Sequence, residues 1–296
     1  MMPKVSIQIP TYNQAGIIHK AIDSCLAQDY PNLEVVVIDD CSTDNTEAVV
    51  QKYKSDQRFR YFRNNSNLGR VKNYKHALHN CVTGDWVINL DGDDYLTNKS
   101  FVSNVVELIN KHKTEKIVLV MNQNMYLSKI PSEIHEHKNF RYCIKNGMDY
   151  LKDYRKYPFF LHLASVFHRA TALSKNFYDF DSLNADFISL MQLADSGNFI
   201  ITDMKSGYWN LNNDSATKTL DVEKKNIALR GVEHLCAHLT ATKEEKEKIK
   251  RELFFVNNYY YSLDLKCSRL KRVANLLKYP GLEPYYIKGL IKASFL

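Results

Sequence analysis

Short apolar runs and amphipathic stretches alternate along the first hundred residues. Val35-Val36-Val37-Ile38 is a continuous β-branched run, which is typical of a strand buried on both faces. Between residues 16 and 27 the apolar positions recur at helical spacing, which predicts an amphipathic helix. The same patterns predict strands at about 5–9, 35–38, 59–62 and 86–90, and helices at about 16–27, 44–54 and 70–82. Strand–helix–strand repetition with short connections predicts a parallel α/β sheet with right-handed crossovers.

The rest of the chain is less regular. We expect a helix at about 98–113, strands at 117–121, 161–167 and 199–201, and a helix at about 184–196. Helical patterns dominate from residue 221 onward. These patterns predict a domain over 1–215, divided into halves at 1–110 and 111–215, and a helical C-terminal extension over 216–296.

Polar or acidic loops follow three of the predicted strands, at Pro10-Thr11-Tyr12-Asn13, Asp39-Asp40 and Asp91-Gly92-Asp93-Asp94. The carboxyl ends of parallel strands meet at one sheet edge, where ligands of such sheets bind. Carboxylates packed this closely repel one another unless a cation lies among them, and a hard divalent cation takes oxygen ligands from carboxylates and substrate phosphates. The loops therefore predict a nucleotide site with a metal–diphosphate; for the acidic loop alone, a turn between strand and helix is the alternative.

Two common nucleotide motifs are missing from the sequence. It contains neither GxGxxG nor GxxxxGK[ST], which argues against a dinucleotide dehydrogenase and a P-loop NTPase. The six cysteines are scattered without a CxxC pair, so we expect them to be reduced and mostly buried.

Composition and charge narrow the class of protein. The chain has 296 residues, of which 45% are hydrophobic, and it carries a net charge of +7. Seven Lys/Arg residues and one Glu lie between Lys266 and Leu296, so the charge is concentrated in an amphipathic tail. A basic tail favours an anionic membrane surface over nucleic acid, with helix packing or dimerisation as the alternative. Without a recognisable signal peptide or membrane span, the expected location is cytoplasmic, with peripheral placement on the inner face of the plasma membrane as a hypothesis.

The order and spacing of these segments carry a resemblance to a known family. The stretches at 5–13 (VSIQIPTYN), 35–40 (VVVIDD) and 90–94 (LDGDD) resemble the family-2 glycosyltransferases, which have the GT-A fold. Asn67-Leu68-Gly69-Arg70 and Gly84-Asp85-Trp86 also stand where that family has characteristic turns. The resemblance is strong over about 3–110 and weaker over 160–215. It implies a Rossmann-like, mostly parallel sheet flanked by helices.

The resemblance also implies residue roles on the donor side. Pro10, Thr11, Tyr12 and Asn13 would line the nucleobase pocket, Asp39 would accept a hydrogen bond from the uracil N–H, and Asn67 and Arg70 would lie near the base or the diphosphate. For Asp40 a structural, helix-capping role is the alternative, and for Arg70 a surface position. Asp91 would contact the ribose, Gly92 would let the backbone approach closely, and Asp93 would ligate Mn²⁺ or Mg²⁺, whereas Asp94 would shape the loop or contact the donor.

On the acceptor side the resemblance implies a catalytic base. Asp186 aligns with the family's Asp at the start of a helix, although the Glu that usually precedes it is Ala185 here, and Asp179 and Asp181 are rivals for the role. Trp209 is a candidate acceptor-sugar platform or a core residue, and the family's usual His is missing from this region.

Together these features predict a metal-dependent inverting glycosyltransferase. It would move a sugar from a nucleotide-sugar, expected to be UDP-linked, to a hydroxyl of a glycan acceptor, with a lipid-linked oligosaccharide of a bacterial surface polysaccharide as the hypothesis. Two alternatives stay open. A sugar nucleotidyltransferase would share the sheet, but it would normally have a Gly-rich loop in place of residues 10–13. A degenerate member would bind nucleotide or glycan without turnover.

Overall fold

The fold is a large sheet with helices packed on both faces. The computed structural model describes residues 2–122, 135–154, 165–208, 210 and 222–263. The strands are β1 (Val5–Thr11), β2 (Leu33–Asp39), β3 (Phe59–Arg63), β4 (Trp86–Asn89), β5 (Tyr95–Leu96), β6 (Ile117–Asn122), β7 (His135–His137), β8 (Phe140–Asn146), β9 (Val166–His168), β10 (Asn198–Thr202) and β11 (Gly207–Tyr208). The helices are α1 (Ile18–Leu26), α2 (Thr46–Val50), α3 (Arg70–His76), α4 (Phe101–Lys111), α5 (Gly147–Lys152), α6 (Arg169–Ser174), α7 (Ala185–Met191), α8 (Val222–His238) and α9 (Lys243–Leu263).

The central sheet has nine strands in the order β3-β2-β1-β4-β9-β6-β10-β8-β7. Strands β1 to β4 are parallel, and β10 runs parallel to β6. β9 runs antiparallel to both of its neighbours, as does β8. The sheet is therefore mostly parallel, as the sequence predicts, and β5 pairs with β11 in a separate two-stranded sheet.

Two hydrophobic clusters cover the two faces of the sheet. Along β2, Val36 and Ile38 belong to one cluster, while Val35 and Val37 belong to the other. This alternation explains why the strand is apolar at every position, since both of its faces are buried. Helices α3, α7, α8 and α9 contribute to the first cluster, and α1 and α4 contribute to the second.

Most predicted elements are present, but several boundaries differ. The prediction that β1 stops at Pro10 is wrong, because the strand continues to Thr11. Proline is tolerated there because β4 pairs only as far as Gln8 of β1, so the missing N–H faces no ladder partner. The predicted helix at 70–82 is α3 followed by a π-helical turn over residues 77–81. Of the predicted strand at 161–167, residues 161–164 lie outside the described residues, and β9 covers the rest.

The helices after residue 221 pack on the main core. Val232 and Leu235 of α8, and Ile249 and Leu253 of α9, are buried in the same cluster as the first face of the sheet. Within the described part of the chain, none of the helices combines the length and the apolar character needed to span a bilayer. The basic tail at 266–296 lies outside the described residues.

Candidate active site

The polar strand ends converge at one edge of the sheet, as the sequence predicts. Thr11 pairs with Asp39 at the ends of β1 and β2, and Gln8 of β1 pairs with Asn89 near the end of β4. The segment from Asp91 to Asp94 follows β4 directly and leads into β5. The three loops are therefore neighbours in space.

The loop after β1 is held by its own polar groups and by the loop after β2. The Thr11 hydroxyl donates to Gln14 Oε1 at 2.7 Å, and Asn13 Oδ1 accepts the Thr43 N–H at 2.7 Å. Asn13 has a φ of +53°, a left-handed conformation that Asn tolerates better than most residues. Tyr12, in contrast, is 46% exposed. This loop thus offers an aromatic face on a fixed backbone.

Asp39 is fully buried and holds the turn that follows it. Its Oδ1 accepts the Ser42 N–H at 2.8 Å and the Ser42 hydroxyl at 2.5 Å, and its Oδ2 accepts the Tyr61 hydroxyl at 2.8 Å. Burial and the hydrogen bond to Asp39 raise the pKa of Tyr61. Capping of the following helix, which is the alternative considered for Asp40, belongs to Asp44, because its Oδ1 accepts the Thr46 N–H at the start of α2.

Asp40 holds the turn that precedes α3 instead. Its Oδ1 accepts from Asn64 Nδ2 and from the Leu68 N–H, both at 2.8 Å, and its Oδ2 accepts from the Gly69 N–H at 2.9 Å. Asn67 Oδ1 accepts from the same Gly69 N–H at 3.0 Å. Gly69 has a φ of +86°, which a residue with a side chain rarely adopts. Asp40 and Asn67 thus fix the backbone that leads into Arg70.

The acidic segment after β4 is tightly packed. The Tyr74 hydroxyl donates to Asp91 Oδ1, and burial together with the Asp91 charge raises the pKa of Tyr74 well above its ordinary value. Gly92 lies so close to Gln14 that an added Cβ would overlap its Oε1. Asp94 is buried, donates its N–H to the Asp91 carbonyl and accepts the Asn210 N–H at 2.9 Å. Asp94 therefore shapes the loop, as expected.

A series of buried hydrogen bonds and one ring stack connects the sheet to the segment before α7. Gln8 Nε2 donates to Asn89 Oδ1 at 2.5 Å, Asn89 Nδ2 donates to the Tyr178 hydroxyl at 2.5 Å, and the Tyr178 ring stacks on Tyr74 at 5.2 Å. The sequence patterns do not predict this series of hydrogen bonds. The available signal is that Gln8 and Asn89 are polar residues inside otherwise apolar strands.

Asp186 lies in the first turn of α7, and its charge acts on the Arg70 guanidinium. Burial lowers the pKa of the Arg70 guanidinium, but the carboxylates of Asp186 and Asp91 raise it more, so the net shift is upward. Asp186 and Asp91 therefore act on the same guanidinium, although they come from different halves of the chain. Ala185, where the family usually has Glu, is buried in the core.

Asp179, an alternative candidate for the catalytic base, has different neighbours. It forms an ion pair with Lys75, and its charge opposes the burial that lowers the pKa values of His79 and His234. Its neighbours thus differ from those of Asp186, which acts on Arg70 together with Asp91. Asp181 is exposed.

Aromatic side chains flank the acidic segment. Tyr95 follows Asp94 directly and stacks on Tyr208 with ring centroids 5.1 Å apart, and Tyr208 is 51% exposed. Trp209, the predicted acceptor platform, lies outside the described residues.

A divalent cation fits the donor groups of this edge. The described ranges contain no cluster of three or more His, Cys, Asp or Glu side chains able to enclose a metal. Mg²⁺ and Mn²⁺ do not require one, because one or two carboxylates and the substrate phosphates complete their coordination. Asp93 is half-buried on the turn beside Gly92, which suits such a partial site.

Comparisons with known proteins identify the family. Residues 6–171, more than half of the chain, match the family described as glycosyl transferase family 2. The chain is 32% identical over 122 residues to the poly(ribitol-phosphate) beta-N-acetylglucosaminyltransferase TarS of Staphylococcus aureus strain Mu50, covering 40% of this chain and 21% of that protein. It is 42% identical over 97 residues to the GalNAc(5)-diNAcBac-PP-undecaprenol beta-1,3-glucosyltransferase of Campylobacter jejuni, covering 32% and 31%. The chain thus spans less than a third of the length of these relatives.

Solved structures share the fold. TarS residues 1–349 in complex with UDP-GlcNAc superpose with a TM-score of 0.67 at 19% identity, covering 93% of this chain and 79% of that one. The mannosyltransferase PcManGT of Pyrobaculum calidifontis, in complex with GDP-Man and Mn²⁺, superposes with a TM-score of 0.57 at 17% identity, covering 100% and 81%. At these identities the superpositions show a common GT-A glycosyltransferase fold.

Proposed function

The chain belongs to glycosyltransferase family 2, and on that premise we propose that it transfers a sugar from a UDP-sugar to a hydroxyl of a glycan, with inversion at the anomeric carbon. The observation that carries the proposal is that α3 binds the segments of both acids: the Tyr74 hydroxyl donates to Asp91, and Arg70 donates to the Ser182 and Leu183 carbonyls just before Asp186. An acid that follows a strand of the nucleotide-binding half and an acid on a helix of the acceptor half then share one site.

The donor nucleotide would bind at the ends of β1 and β2. Tyr12 would stack on the base, within the loop formed by Pro10, Thr11 and Asn13, because its ring is exposed while the backbone around it is fixed. Asp39 and Asp40 would border the base, with Asn67 in the adjoining turn. Asp91 would contact the ribose, beside the close backbone approach at Gly92. The UDP-GlcNAc bound by TarS supports a UDP-linked donor.

Asp93 would hold a Mn²⁺ or Mg²⁺ ion. When bound, the cation would neutralise the charge that develops on the leaving nucleoside diphosphate. The Mn²⁺ in the PcManGT complex supports a cation at this fold's donor site.

Asp186 would be the general base. The acceptor hydroxyl oxygen would form a bond to the anomeric carbon while its proton passes to the Asp186 carboxylate. The bond from that carbon to the phosphate oxygen would break, and its electron pair would leave with the nucleoside diphosphate. The half-buried position of Asp186 in the first turn of α7 supports this role, because the carboxylate is both fixed and reachable.

The acceptor would lie along the stacked pair of half-buried Tyr95 and exposed Tyr208. Aromatic faces suit the C–H surfaces of sugars, and this pair adjoins the acidic segment at Asp94. A lipid-linked acceptor in bacterial surface polysaccharide assembly is supported by the name of the Campylobacter jejuni relative.

Release of nucleoside diphosphate from donor sugars tests the proposal. Wild-type protein should release UDP from at least one of UDP-GlcNAc, UDP-Glc and UDP-GalNAc with Mn²⁺ and lose this activity in EDTA. Asp93→Asn should be inactive, whereas Asp56→Asn, which alters an acid paired with Arg58, should match wild type. Release from GDP-Man alone would overturn the UDP assignment. Binding of UDP without any release would favour the degenerate binding protein.

The alternative of a sugar nucleotidyltransferase makes a different prediction in the same assay. Such an enzyme would form diphosphate from UTP and a sugar 1-phosphate. We expect no diphosphate from this pair, because the first loop offers Tyr12 and Asn13 in place of a Gly-rich triphosphate cradle.

A further inference from the structure

Helix α3 makes specific contacts with the segment that leads into α7. The Tyr74 ring stacks on the Tyr178 ring, and Arg70 Nη2 donates to two backbone carbonyls, at 3.2 Å to Ser182 and at 2.9 Å to Leu183. Arg70 and Tyr178 are separated by more than a hundred positions in the chain. These contacts therefore join the two halves of the domain beside the candidate active site.

The carbonyls that Arg70 binds stand at the start of the turn that carries Asp186. The Ser182 carbonyl also accepts the Ala185 N–H at 3.2 Å, and the Asn184 carbonyl accepts the Ile188 N–H at 3.0 Å. A guanidinium on the carbonyls of residues 182 and 183 thus fixes the backbone three to four residues before Asp186. Its planar, multidentate donor group suits two adjacent carbonyls, which a lysine ammonium would hold less rigidly.

The charges around Arg70 connect the segment before α7 with the nucleotide-binding side of the candidate site. Its guanidinium interacts with the carboxylates of Asp186 and Asp91, and the Tyr74 hydroxyl on the next turn of α3 binds Asp91. Tyr74 therefore binds one of the two acids that the proposed reaction requires, and Arg70 binds the backbone that leads to the other. The turn before α3 is itself fixed by Asp40 through the Gly69 N–H.

We propose that Arg70 is a positioning residue, which binds the backbone of residues 182 and 183 and thereby sets Asp186 in place relative to Asp91. The role rests on the proposed function of Asp186 as the base. It differs from the role that the family resemblance implies, in which Arg70 meets the base or diphosphate of the donor. Loss of Arg70 should then disturb α7 and the transfer step while leaving nucleotide affinity intact.

Three single variants test the proposal in the full chain. Arg70→Gln removes the charge and ends the side chain two bonds short of the Nη2 that binds the two carbonyls, and Arg70→Lys keeps the charge without the guanidinium. Lys75→Gln is the matched control, because Lys75 lies on the same helix and pairs with Asp179 of the same segment, but its partner is a side-chain carboxylate and not the backbone of residues 182 and 183. Thermal melting of each variant reports whether the fold as a whole is retained.

Hydrogen exchange gives a readout that does not depend on activity. In Arg70→Gln the amides of Ala185 and Ile188 should exchange about tenfold faster or more, as expected when a charged hydrogen bond no longer stabilises their turn. Arg70→Lys should fall between Arg70→Gln and wild type, and Lys75→Gln should match wild type. Unchanged exchange in Arg70→Gln, or an equal increase in Lys75→Gln, would overturn the proposal.

Kinetics and calorimetry give the functional readout. Arg70→Gln should lower kcat for UDP release by about tenfold or more, while the Kd of UDP with Mn²⁺ stays within about twofold of wild type. Loss of UDP affinity with unchanged exchange would assign Arg70 to the donor and overturn the proposal. A wild-type protein inactive on every donor would refute the proposed function, and the exchange result would then still decide whether Arg70 positions α7.

Discussion

At the scale of single residues, Asp39 and Asp40 show what a sequence motif can and cannot specify. Asp39 is the last residue of β2 and Asp40 follows it, so both acids lie at the sheet edge that the sequence predicts. Their partners differ, because Asp39 binds Ser42 and Tyr61 whereas Asp40 binds the turn before α3. Those partners depend on which way each side chain leaves the strand end. The position of the two acids is therefore predictable from the sequence, but the partners of each acid are not.

Asp186 is the residue on which the chemical step depends in this account. Asp186→Asn should lower kcat by about 100-fold or more, as expected for loss of a general base, while UDP affinity with Mn²⁺ stays near that of wild type. Initial rates of UDP release and calorimetric titration measure the two effects. Asp179→Asn is the control and should retain wild-type rates, because Asp179 pairs with Lys75 instead. Equal losses in the two variants would remove Asp186 from its role.

At the scale of elements, period and composition predict the strands and helices that are buried on both sides or on one clear face. β2 and α1 are of this kind, because their apolar positions follow the strand and helix periods directly. The sequence patterns do not predict the edge strand β7 and its neighbour β8. His135 to His137 carry no apolar alternation, and their pairing with Phe140 to Asn146 is defined by tertiary contacts. The antiparallel direction of β9 likewise depends on its neighbours.

The turn before β4 shows how one small residue can hold two strands together. Gly84 donates its N–H to Ser6 Oγ at 2.8 Å, and an added Cβ would lie 2.7 Å from the Ser6 nitrogen and 2.9 Å from the Lys4 carbonyl oxygen. Ser6 lies in β1 and Lys4 directly precedes that strand, so these backbone atoms cannot move aside easily. Gly84→Ala should lower the free energy of unfolding by about 1–3 kcal/mol.

Urea denaturation measures that loss, and Gly16→Ala supplies its control. An added Cβ at Gly16 would meet nothing within 4 Å, so this variant should unfold like wild type. A Gly84→Ala protein as stable as Gly16→Ala would show that the β1–β4 contact relaxes without cost.

At the scale of the whole molecule, stability in acid should depend on Glu34. This buried carboxylate contacts Lys4, Ser6, Arg60 and Thr83. Burial raises the pKa of Glu34, but hydrogen bonds from Lys4, Ser6 and Thr83 lower it more, from 4.5 to about 2. A pKa that is lower in the folded state stabilises the fold above pH 4.5, and that stability is lost as the pH falls toward 2.

The contribution of Glu34 is on the order of 3 kcal/mol. Free energies of unfolding measured between pH 6 and pH 2 should fall less steeply in Glu34→Gln than in wild type. Glu47→Gln, which alters a surface acid paired with Arg63, should keep the wild-type slope. Identical slopes in all three proteins would place the acid sensitivity elsewhere.

For the basic tail at 266–296, the sequence alone suggests a role. We propose that residues 266–296 hold the protein on an anionic membrane surface, where each basic residue contributes about 1 kcal/mol. Wild type should float with phosphatidylglycerol vesicles at low salt. A variant with Lys266, Arg269, Lys271 and Arg272 replaced by Gln should not. Equal flotation with phosphatidylcholine vesicles, or none, would contradict the proposal, and a change in sedimentation mass would favour dimerisation.

A crystal structure with UDP and Mn²⁺ tests most directly the arrangement of the donor site, on which the proposed function depends. The diffraction data would be collected at an energy where manganese scatters anomalously. The account predicts an anomalous peak in contact with the Asp93 carboxylate and a uracil ring at the ends of β1 and β2, against Tyr12. A manganese peak away from Asp93, or a nucleotide bound at another edge of the sheet, would contradict it.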